Sequence, residues 1–436
     1  MRLKPKSRIR EPYPSALQNV LMNGLILAVA SLCFLPAMVL NLFIPYSLTG
    51  GSPIFKIHIG SYIIMLAFVY LMLSRGIVSV IVEQFQKQFL YTQFAGVVLI
   101  IAMIMTYSQG TSGLAYLIDT LFIPPLALML AYYLTNEQRY RLTQGLVLFV
   151  FINAMVAISE RVLSTNFYPM PWTFGGTFRA SAFLGHPLNN ALITTGFVFI
   201  IAALPFRFIH KCIIIGACCL AILTFGARGA LAIVVLIGVA SILAVGFQLL
   251  LQKRLQFVVV VVAPWLAVFM TLVAVGVVLF TNFAERIIEK LEFDDSAQER
   301  LDAFMLFDLM SWDQVLWGIK FQNMLTMIER HPDIEIIENF WIVLLVMLGL
   351  VLFIPFVISF IFYLFSLAKG KTLVLYSAIL AFAVAASVNN SLATKTPALL
   401  LFSLALYGVP KQKRKRSKPE HAMIFMPPER QFIAAR

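Results

Sequence analysis

Apolar stretches of roughly 15 to 28 residues, separated by short polar breaks, fill most of this chain. A hydrocarbon layer about 30 Å thick takes about 20 helical residues to cross. Read against that length, the pattern predicts helices at 18–44, 57–74, 89–107, 114–134, 142–160, 188–206, 210–226, 229–251, 256–281, 339–366, 372–389 and 396–409. The expectation is an all-α polytopic integral membrane protein of about twelve transmembrane helices. Its parts are a basic amino-terminal segment (1–17), nine spans over 18–281 that include a loop at 160–188, a large loop at 282–338, three spans over 339–409 and a basic tail at 410–436.

Composition agrees with lipid as the solvent: 61% of residues are hydrophobic, 12% are charged, and the mean hydropathy is +0.90. Charge then orients the chain. Arg75 and Lys87, Arg139 and Arg141, Arg207 and Lys211, Lys253 and Arg254, and Lys369 and Lys371 fall on alternate loops, on the same side as both basic ends. Of 33 Lys and Arg, 23 gather there, which predicts a cytoplasmic location for both termini and an even number of crossings. The net charge of +13 is thereby read as orientation, with no call for nucleic acid. The first span is too long for a signal-peptide core and is expected to be retained as a helix. The four cysteines, Cys33, Cys212, Cys218 and Cys219, all fall in predicted spans without metal-site spacing. No Walker A or dinucleotide fingerprint occurs, so ATP hydrolysis within this chain is not expected.

Two loops on the other side hold the unusual polar residues. The first, 160–188, combines Arg161, Arg179 and His186 with Gly175, Gly176 and Gly185 and with the rings of Phe167, Tyr168, Trp172, Phe174, Phe178 and Phe183. Such rings suit either a sugar face or the headgroup belt. Arg228 stands between two strongly apolar spans, where a guanidinium costs on the order of 2.5 to 3.5 kcal/mol unless it reaches the interface or a polar cavity. Guanidinium forks grip phosphate oxygens, so several at one membrane face suit a lipid-linked diphosphate. The second loop, 281–338, holds 13 of the 20 acidic residues. Its residues Leu301, Phe304, Met305, Phe307, Leu309 and Trp312 approach a helical stripe, expected to lie on the membrane surface or on the bundle. Glu338 opens the next span, as a helix-start carboxylate or as a general base. Asp119 interrupts another span just before Pro124 and Pro125, which implies a broken or re-entrant helix and a counter-charge for one of the arginines.

Three segments carry a resemblance. FRASAFLGHPLNNA (178–191), TFGARGALAIVVL (224–236) and the large loop running into ENFWIVLLVMLGLVLF (338–353) are together similar to the O-antigen polymerase and ligase superfamily of bacterial membrane glycosyltransferases. The likeness spans about residues 140–366, and GGSPIFKIHIGSYIIML (50–66) resembles exopolysaccharide polymerases. The resemblance implies a GT-C-like fold and metal-independent glycosyl transfer at the periplasmic face, with no cofactor. The donor it implies is a glycan on undecaprenyl diphosphate, with a flippase and a chain-length regulator as partners. Arg179 and Arg228 would hold the diphosphate, and Arg300 would match the family's loop arginine. Arg161, His186 and Asn339 join them as substrate-binding candidates, and Glu338 stands as the candidate base. The ligase branch has a histidine-asparagine pair where this chain reads Glu338–Asn339, which favours a Wzy-type polymerase over a ligase acting on lipid A core. A polytopic lipid or solute transporter is the alternative from another class, although no internal repeat or pair of broken helices is evident.

Overall fold

A computed structural model describes residues 13–47, 52–111, 113–168, 178–251, 303–330 and 337–411. The predicted span at 256–281, the loop arginine Arg300, Leu301 and most of both basic ends lie outside the described residues. Every regular element described is helical. In chain order these are α1 (Ser15–Phe34), α2 (Ala37–Leu40), α3 (Ile59–Arg75), α4 (Ile77–Lys87), α5 (Phe89–Gln109), α6 (Ile123–Tyr132) and α7 (Asn136–Leu163). They continue with α8 (Pro187–Ala203), α9 (Phe208–Thr224), α10 (Arg228–Leu251), α11 (Trp312–Trp317), α12 (Phe321–Arg330), α13 (Phe340–Leu367), α14 (Leu373–Ser387) and α15 (Ala398–Gly408).

Among the described residues five helices, α1, α5, α7, α10 and α13, are long and apolar enough to cross a membrane, or six if α3 and α4 count as one bent span. Five shorter apolar helices run beside them. The centre of the bundle is α8 and α15, almost entirely buried, with the rings of Phe382 and Phe402 stacked at 4.2 Å between α14 and α15. The flanks of α5, α10 and α13 keep apolar side chains such as Met103, Leu236 and Phe362 exposed, as a lipid-facing surface requires. Tyr13, just before α1, donates to Glu83, which lies 3.8 Å from Arg75 at the end of α3, so α1 and α3 run antiparallel and define a proximal end, where α1 starts and α3 finishes, and a distal end, where α1 finishes.

Several helices depart from the apolar pattern, each for an identifiable reason. The first span, expected to run to residue 44, stops at Phe34, because Pro36 lacks an N–H and bars Leu35 from helical geometry (φ −118°, ψ 66°). The chain leaving α3 turns by 109° at Gly76 into α4, which lies across the bundle instead of forming a loop. The break expected at Asp119 is a π-helical turn, 117–122, leading straight into α6 with Pro124 and Pro125 in its first turn, where their missing N–H groups cost least. The helical stripe expected after residue 301 is divided: 303–307 is a 3₁₀ turn, and Ser311 starts α11 through a capping box with Gln314. Ala303, Leu306 and Met310 are the buried positions there, while Phe304 and Trp312 are exposed.

The largest departure is in α13. A straight helix would hold residues 340 and 360 about 30 Å apart. Instead the rings of Phe340 and Trp341 pack on Phe360 with centroids at 6.4 and 5.9 Å. The chain folds back at Gly349, whose φ of 65° and ψ of 166° belong to no helix. Residues 340–348 form one arm of a helical hairpin, and the expected span 339–366 narrows to about 350–367. Gly318 seats in this fold, with Ile319 N donating to Val346 O at 3.0 Å, so the large loop is latched to the hairpin tip. A Cβ on either glycine would collide with the other segment's backbone.

Gly349→Ala is expected to lower the thermal unfolding temperature of the detergent-solubilised protein, since backbone strain alone costs on the order of 1 to 3 kcal/mol before the clash is counted. Gly238→Ala, at a helix position with open space around it, should leave stability equal or slightly higher.

Candidate functional site

The distal end is assembled by polar side chains that satisfy backbone groups where helices are interrupted. Glu160, in the last turn of α7, accepts from Phe167 N through one carboxylate oxygen and from Ser181 N (2.8 Å) and Ala182 N (2.9 Å) through the other. Two turns earlier on the same face, Asn153 accepts from Phe183 N at 3.0 Å and donates to Asn190 Oδ1 at 2.8 Å. Asn190 Nδ2 donates to Ser181 O (2.6 Å) and His186 O (3.0 Å). The segment 181–186 is thereby held from below by three buried side chains, none of them among the residues singled out from sequence. The available signal was Asn153 and Glu160 themselves, polar residues inside the apolar run of α7.

That clamp holds the backbone on either side of Arg179. Phe178 O accepts from Arg161 Nη1 at 3.3 Å, and Ala180 N donates to Thr224 O at 3.1 Å, which ties the loop to the end of α9. Arg228 follows four residues later, as the first residue of α10. Gly229 lies against Val388, in the segment that follows α14. Asn389 O accepts from Phe340 N at 3.1 Å, and Ser387 Oγ accepts from Trp341 Nε1 at 2.7 Å, so the arm of α13 that begins after Glu338–Asn339 is pinned beside the same segment. A chain of hydrogen bonds and one packing contact thus links the segments that carry Arg161, Arg179, Arg228, Glu338 and Asn339. All five side chains are half-buried.

Two candidates have a structural task. Asn339 caps α13, its Oδ1 accepting from Trp341 N (2.9 Å) and Ile342 N (3.4 Å), which occupies the amide oxygen that a substrate contact would use. His186 caps α8, its Nδ1 accepting from Leu188 N at 3.3 Å. Burial pushes His186 down to about 4, so at neutral pH the ring is uncharged and keeps the lone pair the cap requires.

Asp119 departs from the expected arginine counter-charge. It accepts from Ser61 Oγ (2.6 Å), Tyr46 OH (2.9 Å) and His58 N (3.1 Å), holding the segment between α2 and α3 over the start of α6. The nearby cation is Lys395, whose Nζ donates to Tyr46 O at 2.6 Å and sits 4.0 Å from the Tyr46 ring centroid. Burial pushes Lys395 down to about 8 despite the Asp119 carboxylate.

Replacing Glu160 with alanine should strand Phe167, Ser181 and Ala182 N–H groups, at about 1 to 3 kcal/mol for each one left without water, and hydrogen exchange at Ser181 and Ala182 should accelerate. His186 supplies a pH test. Its folded pKa lies below the unfolded value, so between about pH 6.5 and 4 the unfolded chain binds the extra proton. Stability present above that window is lost as pH falls through it. Unfolding measured at pH 7 and pH 5 should show a smaller loss for His186→Asn, which can cap without titrating.

Compared with known proteins, the chain matches no family model and no curated relative.

Proposed function

We propose that this protein is a Wzy-type membrane glycosyltransferase: a polymerase that moves a growing glycan from undecaprenyl diphosphate onto a lipid-linked repeat unit of an exopolysaccharide or O-antigen. The observation that supports this reading is the Ala180 N to Thr224 O hydrogen bond of 3.1 Å, which ties the backbone next to Arg179 to the end of α9, four residues before Arg228. A diphosphate spreads its charge over several oxygens, and paired planar forks match that distribution better than ammonium groups do. At the end of an apolar bundle the effective dielectric is low, so the same charges act more strongly than in water.

In this scheme the acceptor hydroxyl oxygen attacks the anomeric carbon, the bond from that carbon to the diphosphate oxygen breaks, and the leaving diphosphate keeps the electron pair. Arg179 and Arg228 stabilise that developing charge. The hydroxyl proton passes to Glu338, which the α13 hairpin holds beside the same segment. The energy comes from the donor bond, and the reaction requires no nucleotide. The accompanying arrangement is a GT-C-like bundle of about twelve spans in the bacterial inner membrane, counting 256–281, with the distal end periplasmic and both termini cytoplasmic.

Purified protein supplied with lipid-linked repeat units should yield a ladder of lipid-linked multimers. Arg179→Ala and Arg228→Ala should each lower the rate by about 10²- to 10³-fold, with the protein still folded in detergent. Undiminished ladders in both variants would defeat the diphosphate assignment. Transfer to added lipid A core without a ladder would indicate a ligase, and neither product would favour transport.

A further inference from the structure

The proximal end carries a feature that the transferase reading does not use. A cavity of about 750 Å³ opens between the start of α5, the start of α7 and the ends of α13 and α15. Among the described residues five cations line it, Lys87, Arg139, Lys369, Lys371 and Lys411, and no Asp or Glu does. The described acids at this end are engaged elsewhere. Glu83 accepts from Tyr13 OH (2.6 Å) and Tyr133 OH (3.0 Å) and lies 3.8 Å from Arg75, while Glu137 pairs with Arg141 at 2.9 Å.

Two of the five cations are fixed in place by the helix ends they terminate. Arg139 donates to Tyr132 O and Leu134 O, each at 2.7 Å, and lies 5.3 Å from the Tyr407 ring centroid. Lys371 donates to Leu406 O and Tyr407 O at the end of α15. The other three, Lys87, Lys369 and Lys411, are exposed around them. Burial, followed by the charges of Lys411 and Arg139, pushes Lys371 down to about 7, as expected where like charges crowd without an anion between them.

The source of the anion follows from α4. Ile77, Val78, Ile81, Val82 and Phe85 form an exposed apolar stripe along this helix, which lies across the bundle and ends at Lys87 on the cavity's edge. A helix of that kind rests at the headgroup boundary, with its apolar side toward the acyl chains. Phe89, exposed and also lining the cavity, continues the apolar path to its mouth. We propose that this cavity binds the phosphate of an anionic phospholipid headgroup, with the acyl chains lying along α4.

The positive-inside pattern alone accounts for lysines spread over a surface. It does not gather them with two helix-terminating cations around a cavity that no described acid lines, beside an amphipathic helix. The site is separate from the distal arginines, so its failure would leave the transferase reading untouched.

The test is native mass spectrometry of the full-length protein titrated with phosphatidylglycerol and with phosphatidylcholine. Wild type should retain phosphatidylglycerol at least about tenfold better, and the triple variant Lys87→Gln, Lys369→Gln, Lys411→Gln should lose that margin, because each basic residue near a lipid headgroup contributes about 1 kcal/mol, roughly a fivefold effect. The corresponding triple Lys→Arg variant should keep it, and should one triple variant not fold, Lys411→Gln alone should weaken retention about threefold or more. Equal retention of the two lipids, or a folded Gln variant that binds as wild type does, overturns the proposal. Inorganic phosphate displacing bound phosphatidylglycerol at equimolar concentration would assign the cavity to free phosphate and overturn it as well.

Discussion

Every backbone N–H and C=O that leaves a helix inside this apolar bundle must find a partner within the protein, because lipid offers none. That constraint explains where the polar residues are. The segment joining α14 to α15 is the clearest case: it holds only one short 3₁₀ turn, Ser391–Ala393, yet Asn389, Ser391 and Thr396 are buried in it. Thr120 Oγ1 donates to Thr394 O (2.6 Å) and accepts from Thr396 N (3.0 Å), Asn389 Oδ1 accepts from Ser391 N (2.9 Å), and Thr396 Oγ1 accepts from Ala398 N (3.2 Å). Side chains supply there what a continuous helix would have supplied from its own backbone, which allows α14 and α15 to stop short of the length a full crossing needs.

The candidate site is a consequence of the same bookkeeping. Loops released into water would be free to move apart, whereas loops whose amides are held by Glu160, Asn153 and Asn190 keep Arg179 in register with the α9–α10 turn. The α13 hairpin works to the same end by different means. Its arm is pinned at the base through Phe340 N and Trp341 Nε1 and at the tip through Gly318 and Ile319, so Glu338 precedes a segment fixed at both ends. A charge aimed at a developing anion is effective only if it need not reorganise when the reaction occurs. In the proposed transferase, polar satisfaction in lipid would provide that rigidity as a by-product.

Much of the helical framework was legible because apolar runs report what must be covered, and helix limits such as 89–109 and 228–251 fall within a few residues of the pattern. What hydropathy cannot distinguish is direction. The run from 339 to 366 is equally apolar whether it is one span or a hairpin, and only the φ of Gly349 and its contact with Gly318 decide. Pro36 did carry its signal, which a purely apolar reading overrode. The site was partly visible as well. Arg179 and Arg228 stand out as charges among apolar residues, but the residues that hold their surroundings lie far off in sequence, and Asn153 to Phe183 is a contact no spacing rule suggests. Asp119 was visible as a charge and misread as to partner, because hydroxyl and amide donors can neutralise a buried carboxylate's need for hydrogen bonds as an arginine would.

The two ends of the bundle set cations to different tasks, and the difference is chemical rather than positional. At the proximal end Arg139 and Lys371 lie across the carbonyl ends of α6 and α15, where the helix dipole favours positive charge and removal would expose carbonyl groups. These cations stabilise the fold whether or not an anion arrives. At the distal end Arg228 begins a helix, the end at which the dipole disfavours a cation. A guanidinium at that point gains nothing from the dipole of its own helix, and in the proposed transferase an anion held there would have both the arginine and the amide end of α10 in its favour. The proposed diphosphate site would thus put to use a charge whose position the helix dipole does not itself favour.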